Sequence, residues 1–260
     1  MSYYLGFALT FITWIVIIFL NERYGLLRCD AFPSTAAKVF AYIWLGIFMN
    51  VVGLFTVLSA KHPPTPEQLS GVPFYAFFQL HAVFVVFLFG WWLAAGRPSF
   101  RTFLNVPREG MGEAVLSGFA VGFGGWIFTI AVAALVGLIL QGSGLLPNKI
   151  EASPTIAFMA TVPWWKKLAL VLSAMTVEEA LFRGFLQKRL GLIASTILFA
   201  LAHLGLGQPL LLIGVTIISL VIGTAFYRTR NLIPGVIAHG VFDAVQLFVI
   251  IPIAFRFVGV

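Results

Sequence analysis

Long apolar stretches recur along the whole 260-residue chain, separated by short breaks that are polar or rich in glycine and proline. A bilayer core about 30 Å thick needs about 20 apolar residues per helix, and the runs are continuous rather than alternating. The pattern therefore predicts an all-α, polytopic transmembrane helical bundle of about eight transmembrane helices. The predicted segments are 3–20, 39–60, 73–95, 113–140, 167–187, 192–206, 209–227 and 232–255.

Composition excludes a soluble domain of this length, because 60% of the residues are hydrophobic and only 10% are charged. The net charge of +7 comes from basic residues scattered over short loops, which does not indicate a nucleic-acid partner. A single cysteine, Cys29, cannot form an internal disulfide. The expected environment of the chain is therefore the lipid bilayer, where packing holds the fold together.

Basic residues are distributed unequally between the two sets of loops, and this predicts the topology. If all eight segments span, the loops after segments one, three, five and seven share one side of the membrane. That side carries ten basic residues, Arg23, Arg28, Lys38, Arg97, Arg101, Arg108, Lys188, Arg189, Arg228 and Arg230. The other side carries five, Lys61, Lys149, Lys166, Lys167 and Arg256. The positive-inside rule then places the loops with ten basic residues in the cytoplasm and both termini outside the cytoplasm. The expected location of the protein is the cell membrane.

Ionisable residues inside apolar segments are concentrated in the last four of them. The first three segments hold no acid and one histidine, His81, for which hydrogen bonding between helices is the expected role. In the fifth segment, Glu179 and Arg183 stand at i,i+4 and can form an ion pair on one helical face. Glu178 lies about 100° around the helix from Glu179. It can therefore face a different cavity and act as a general base toward water.

Two further pairs with i,i+4 spacing lie in the sixth and eighth segments. Phe199 is placed to pack an aromatic ring under His203, and Asp243 is placed to accept a hydrogen bond from His239. An ionisable group in hydrocarbon is costly, so these residues are candidates for function. Either pair alone is a weak signal, because a single helical histidine is most often bonded to a neighbouring carbonyl.

The ordered set Glu-Glu-x-x-x-Arg, Phe-x-x-x-His and His-x-x-x-Asp on successive helices resembles the CPBP family of intramembrane peptidases. This family groups the type II CAAX prenyl endopeptidases with bacteriocin-processing and self-immunity proteins. The resemblance covers residues 113–260, as a peptidase core, whereas residues 1–112 are N-terminal transmembrane helices without a motif. It implies an endopeptidase that cleaves a membrane-associated protein or peptide, with its active site toward the cytoplasmic half of the membrane.

The resemblance also implies roles for the motif residues. Glu178 and His203 would activate a water, His239 and Asp243 would stabilise the oxyanion, and Glu179, Arg183 and Phe199 would support the site. The prenyl endopeptidases carry Asn at the position of Asp243. An ionised Asp243 can only accept a hydrogen bond and would orient His239, whereas a protonated Asp243 can itself donate to the oxyanion. The second arrangement is favoured, because no cation stands at i±3 or i±4 from Asp243.

Three other uses of these residues stay open at this point. One carboxylate and two imidazoles can hold zinc, although the chain has no His-Glu-x-x-His motif, so we expect no cofactor. A proton-coupled transporter also uses buried acids and histidines, but we find no inverted repeat in the sequence. A non-proteolytic scaffold or immunity protein would keep the site for binding alone. Replacing Glu178 by Gln separates this last class from a peptidase.

Overall fold

The computed structural model describes residues 3–25, 32–61, 64–146, 153–206 and 208–258, so that Arg28, Cys29 and Lys149 lie outside the described residues. Within these ranges the chain is helical with connecting turns and contains no β-strand, which confirms the all-α fold. The α-helices are α1 Tyr3–Tyr24, α2 Thr35–Lys61, α3 Pro66–Gly71, α4 Gln79–Ala94, α5 Phe100–Leu104, α6 Met111–Gly142, α7 Pro154–Thr161, α8 Trp164–Ser173, α9 Lys188–Ala202, α10 Pro209–Thr229, α11 Leu232–Val245 and α12 Ile251–Val258.

Seven helical stretches of the described chain are long and apolar enough to cross a membrane, which makes the chain an integral membrane protein. The sequence predicts about eight spans, and the difference from seven arises at one place in the chain. Segment 167–187 and most of segment 192–206 fall within a single 39-residue stretch, Trp164–Ala202. At Gly191 the backbone leaves the helical region (φ 83°, ψ 175°), a conformation that glycine adopts easily. The two predicted segments are therefore separate helices that meet at Gly191.

The segment that carries the two adjacent glutamates is not the regular α-helix that the sequence predicts. After α8 the chain is wound as a π-helix over Ala174–Glu178 and again over Ala180–Gln187. A third π-helical stretch, Gln246–Ile250, separates α11 from α12. The wider i→i+5 turn is rare, is found most often at functional sites, and changes the directions in which successive side chains point.

Small residues bring α6 into close contact with α11, the helix that carries His239. Gly118 and Gly122 form a Gly-x-x-x-Gly pair that lets the two backbones approach closely. A Cβ atom at Gly122 would lie 2.7 Å from Cβ of Val241 and 3.0 Å from Cα of Ala238. α11 itself begins where the side chain of Asn231 accepts a hydrogen bond from a backbone N–H of the first turn. The depth and rotation of α11 are therefore fixed by backbone contact.

The loops after segments one, three, five and seven meet at one end of the bundle, in agreement with the predicted grouping. The loop after the third segment contacts each of the other three. Lys188 Nζ lies 3.0 Å from the carbonyl of Phe103, the Leu232 N–H lies 2.9 Å from the carbonyl of Asn105, and a Cβ atom at Gly96 would lie 3.7 Å from the ring of Pro33. The loops that carry the described basic residues of the larger set thus lie at the same end.

Candidate active site

Buried ionisable side chains from four helices meet inside the bundle. His81 lies on α4, and the two adjacent glutamates lie in the π-helical segment, residues 174–187. His203 directly follows the last residue of α9, and α11 carries His239 with Asp243 one turn later. All seven residues singled out in the sequence belong to this group or to its immediate support. The two glutamates face in different directions and have different partners.

Glu178 is held through one of its oxygens and leaves the other without a hydrogen-bond partner. Its Oε1 lies 3.1 Å from Nε2 of His81, whose Nδ1 lies 2.7 Å from Oγ of Ser173. Its Oε2 is buried, has no hydrogen-bond partner among the described residues, and lies 3.9 Å from Nε2 of His203. This second distance is too long for a direct hydrogen bond.

α9 holds the His203 ring in one orientation and, when the ring is neutral, in one tautomer. Its Nδ1 lies 2.8 Å from the carbonyl oxygen of Phe199, and the two rings pack with centroids 4.5 Å apart, as the i,i+4 spacing suggests. Because a carbonyl can only accept, Nδ1 carries a proton, and Nε2 is an acceptor when the ring is neutral. The side chain is about one quarter exposed, which leaves Nε2 accessible beside Glu178.

Glu179 is enclosed by charged partners. Its Oε2 lies 3.3 Å from Nε of Arg183, and its Oε1 accepts a hydrogen bond from Nδ1 of His239 at 2.9 Å. Arg183 also donates to the carbonyl and the hydroxyl of Ser219 at 3.2 Å, and its guanidinium covers the ring of Phe199. The side chains of Glu179 and Arg183 are 0% and 1% exposed. Glu179 therefore has no exposed surface that a substrate could contact.

His239 stands between two carboxylates. Its Nδ1 donates to Glu179, and its Nε2 lies 3.4 Å from Oδ2 of Asp243, which is about one quarter exposed. A neutral imidazole whose Nδ1 carries the proton has no donor at Nε2. A hydrogen bond from this side of the site to a substrate oxygen must therefore come from a doubly protonated His239 or from a protonated Asp243.

Three residues of the site belong to none of the sequence motifs: His81, Ser173 and Ser219. The packing of α4 and α10 against residues 174–187 brings His81 and Ser219 there, whereas Ser173 ends α8, five residues before Glu178. The signal that was available for His81 is general, since any histidine in an apolar segment is a candidate for function. Its contacts do join two helices, as expected, but one of them reaches Glu178 itself.

Glu178, His81 and His203 bring one carboxylate and two imidazoles together, which are ligand types that zinc also uses. The two imidazoles approach different oxygens of the carboxylate, one at 3.1 Å and the other at 3.9 Å. In the part of the chain that the structure describes, no group of three His, Cys, Asp or Glu side chains is arranged to hold a metal ion.

The fold and this group of side chains together define a helical membrane protein with a buried site of carboxylates and imidazoles. Residues 160–245 match the family model described as type II CAAX prenyl endopeptidase Rce1-like. The matched range contains all three motifs and confirms the CPBP family for this part of the chain. The match supports an enzyme of the CAAX-protease type.

One curated relative is YpbD of Bacillus subtilis (strain 168), an uncharacterised protein. It is 44% identical to this chain over 69 residues, which is 26% of this chain and 36% of that protein. The alignment thus spans about a third of the relative's length. No solved structure matches the chain.

Proposed function

We propose that this protein is an intramembrane endopeptidase that hydrolyses a peptide bond in a membrane-associated protein or peptide, using a water activated by Glu178 and His203. The observation that carries the proposal is the pair formed by Oε2 of Glu178 and Nε2 of His203. These atoms are 3.9 Å apart, and Oε2 is buried without a hydrogen-bond partner among the described residues. Both are acceptors when Glu178 is ionised and His203 is neutral.

A water molecule fits between two acceptors that face each other. In this proposal the water lies off the line that joins Oε2 and Nε2, at about 2.8 Å from each of these atoms. It donates one O–H to the carboxylate and the other to the imidazole. Its oxygen then turns a lone pair away from both and toward the open side of the site. This is the orientation that attack on a carbonyl carbon requires, and it is available without rearrangement of either side chain.

The chemical step needs no group besides these and the substrate. The water oxygen bonds to the peptide carbon while a proton passes to Glu178, and the carbonyl oxygen becomes an oxyanion. The C–N bond then breaks as the proton is delivered to the amide nitrogen. The products are a new carboxyl group and a new amine, and Glu178 returns to its ionised state.

The oxyanion lies on the side of His239 and Asp243 in this proposal. The side chains of Asp243, His239, Glu179 and Arg183 contact one another in this order. When His239 is doubly protonated, the two carboxylates balance the positive charges of His239 and Arg183. The Nε2–H of His239 can then be shared between Oδ2 of Asp243 and the oxyanion.

We further propose that the site opens toward the cytoplasmic half of the cell membrane, since the loops at the basic end of the bundle are grouped as the positive-inside rule requires.

The test compares cells that express the wild type, Glu178→Gln or Glu113→Gln. Glutamine keeps the size of the side chain but cannot accept a proton as a carboxylate does, and Glu113 is an exposed glutamate in the first turn of α6 that serves as the matched control. The measurement is mass spectrometry of the protein termini in membranes and of peptides in the medium. We expect one or more new termini that depend on Glu178, with the uncleaved precursor accumulating in Glu178→Gln alone.

The alternatives give different results. A scaffold or immunity protein would keep its termini profile and its phenotype in Glu178→Gln. A transporter would show proton flux into proteoliposomes in the absence of any cleavage. Identical termini in all three strains, at equal amounts of inserted protein, would refute the peptidase.

A further inference from the structure

His81 reaches Glu178 from a helix that lies outside the family-matched range. His81 lies on α4, about 80 residues before the start of the matched segment at residue 160. Both of its ring nitrogens are engaged, Nε2 by Glu178 and Nδ1 by Ser173. The His81 and Glu178 side chains are 14% and 13% exposed, so the contact is mostly shielded from solvent.

In a neutral His81 ring, the chemistry of the partners fixes which nitrogen carries the proton. An ionised carboxylate only accepts, so Nε2 carries the proton and donates to Oε1 of Glu178. Nδ1 is then an acceptor, and the hydroxyl of Ser173 is its donor. Ser173 thus selects the tautomer of His81 that can bind Glu178.

The hydrogen bond to Oε1 decides which oxygen of Glu178 faces the water. A glutamate side chain has three rotatable bonds, and its two carboxylate oxygens are chemically equivalent. When Oε1 is held by His81, Oε2 is the oxygen that is turned toward His203. Free rotation would otherwise have to be lost at the moment of reaction, at a cost in conformational entropy.

α4 is packed rigidly enough against the π-helical segment to aim His81. Phe84, Phe87 and Trp91 follow His81 along α4 and are at most 1% exposed. Their rings contact the edges or faces of Phe182 and Phe185 at centroid distances of 5.0–6.0 Å. These aromatic contacts join α4 to the helix that carries Glu178, and they begin one turn from His81.

We propose that His81, in the tautomer set by Ser173, is a positioning residue of the active site that holds Glu178 by Oε1 and presents Oε2 to the catalytic water. The inference rests on the proposed role of Glu178. It makes α4, from the N-terminal half of the chain, a structural part of the catalytic unit.

A pair of amide substitutions separates this role from helix packing. The amide nitrogen of Gln reaches about as far from the backbone as Nε2 of histidine, and that of Asn about as far as Nδ1. His81→Gln therefore keeps a donor for Glu178, whereas His81→Asn keeps only the contact with Ser173. The readout is the amount of the Glu178-dependent termini per inserted protein, and thermal stability is measured on the purified protein in detergent.

We expect His81→Asn to lower the Glu178-dependent cleavage roughly 10- to 100-fold, the usual effect of losing a group that orients a reacting side chain. His81→Gln should restore it to within about fivefold of the wild type, and the two variants should melt at similar temperatures. Equal cleavage by both variants, or equal loss in step with stability, would overturn the positioning role while Glu178→Gln remains inactive. Cleavage that survives Glu178→Gln would instead refute the proposed function.

One further measurement concerns the order Ser173–His81–Glu178, which is also the order of a serine nucleophile, its base and an acid. A fluorophosphonate probe should leave Ser173 unlabelled, and Ser173→Ala should retain part of the cleavage. Covalent labelling of Ser173 in the wild type, absent in His81→Asn, would overturn the inference.

Discussion

The ion pair of Glu179 and Arg183 permits a stability prediction whose size follows from the burial of both groups. Arg183→Met replaces the guanidinium by an apolar side chain of similar length. Glu179, which is 0% exposed, would then keep His239 as its partner at 2.9 Å but lose the cation at 3.3 Å. Breaking a buried pair on one side costs about 3–5 kcal/mol, because the remaining charge is left uncompensated. The equilibrium constant for unfolding should therefore rise between about 100-fold and about 5,000-fold.

The double variant Glu179→Leu/Arg183→Met gives the contrasting result. Replacing both partners of a buried pair by apolar groups is often neutral or stabilising, so most of the lost stability should return. Cleavage should stay low, because His239 would lose the acceptor at its Nδ1. The matched control is Arg108→Met on an exposed loop, which should change the free energy of unfolding by less than about 0.5 kcal/mol.

The assay is reversible unfolding of the purified protein in mixed micelles of dodecyl maltoside with an increasing fraction of dodecyl sulfate, followed by tryptophan fluorescence. A loss below about 1 kcal/mol in Arg183→Met would refute the reasoning. So would a double variant as unstable as the single one, because Glu179 would then not be the anion that Arg183 compensates.

Three further predictions concern the oxyanion side, the reaction type and the packing of α11. Asp243→Asn should lower cleavage by roughly 10- to 100-fold if a charged Asp243 orients a doubly protonated His239, whereas full or increased activity would assign the donor role to a protonated Asp243. Cleavage in membranes should survive chelators and serine or cysteine reagents, and a complete loss with a chelator that zinc reverses would establish a metal enzyme. Gly122→Ala should destabilise the protein by about 1–3 kcal/mol through overlap with Val241, but Gly124→Ala, whose Cβ would have no neighbour within 4 Å, should be nearly neutral in the same unfolding assay.

The fold could be predicted from the sequence because the bilayer leaves the chain few options. Continuous apolar runs predict helices, and the distribution of Arg and Lys predicts which loops share an end. The sequence also predicts the break between the fifth and sixth segments, because Gln187, Lys188 and Arg189 interrupt the apolar run just before Gly191. The positive φ of Gly191 is the backbone feature that separates the two helices there.

Within the site, the sequence indicated contacts inside one helix but not those between helices. The spacing of Glu179 and Arg183 and that of Phe199 and His203 each describe neighbours on one helical face, and both pairs are in contact. The hydrogen bond from His239 to Glu179 joins helices about 60 residues apart and follows from no spacing. Nor does any spacing in the sequence indicate the π-helical winding of residues 174–187.

Two adjacent glutamates in a membrane helix need different surroundings if only one of them is to react. Glu179 has no exposed surface, and its two oxygens lie 3.3 Å from Nε of Arg183 and 2.9 Å from Nδ1 of His239. Glu178 is held by His81 at one oxygen, and its other oxygen faces Nε2 of His203 at 3.9 Å. A carboxylate with an unsatisfied oxygen is unfavourable in a buried site unless a water or a substrate completes its hydrogen bonds. We propose that the oxygen facing His203 is what allows Glu178, rather than the fully enclosed Glu179, to bind and activate a water.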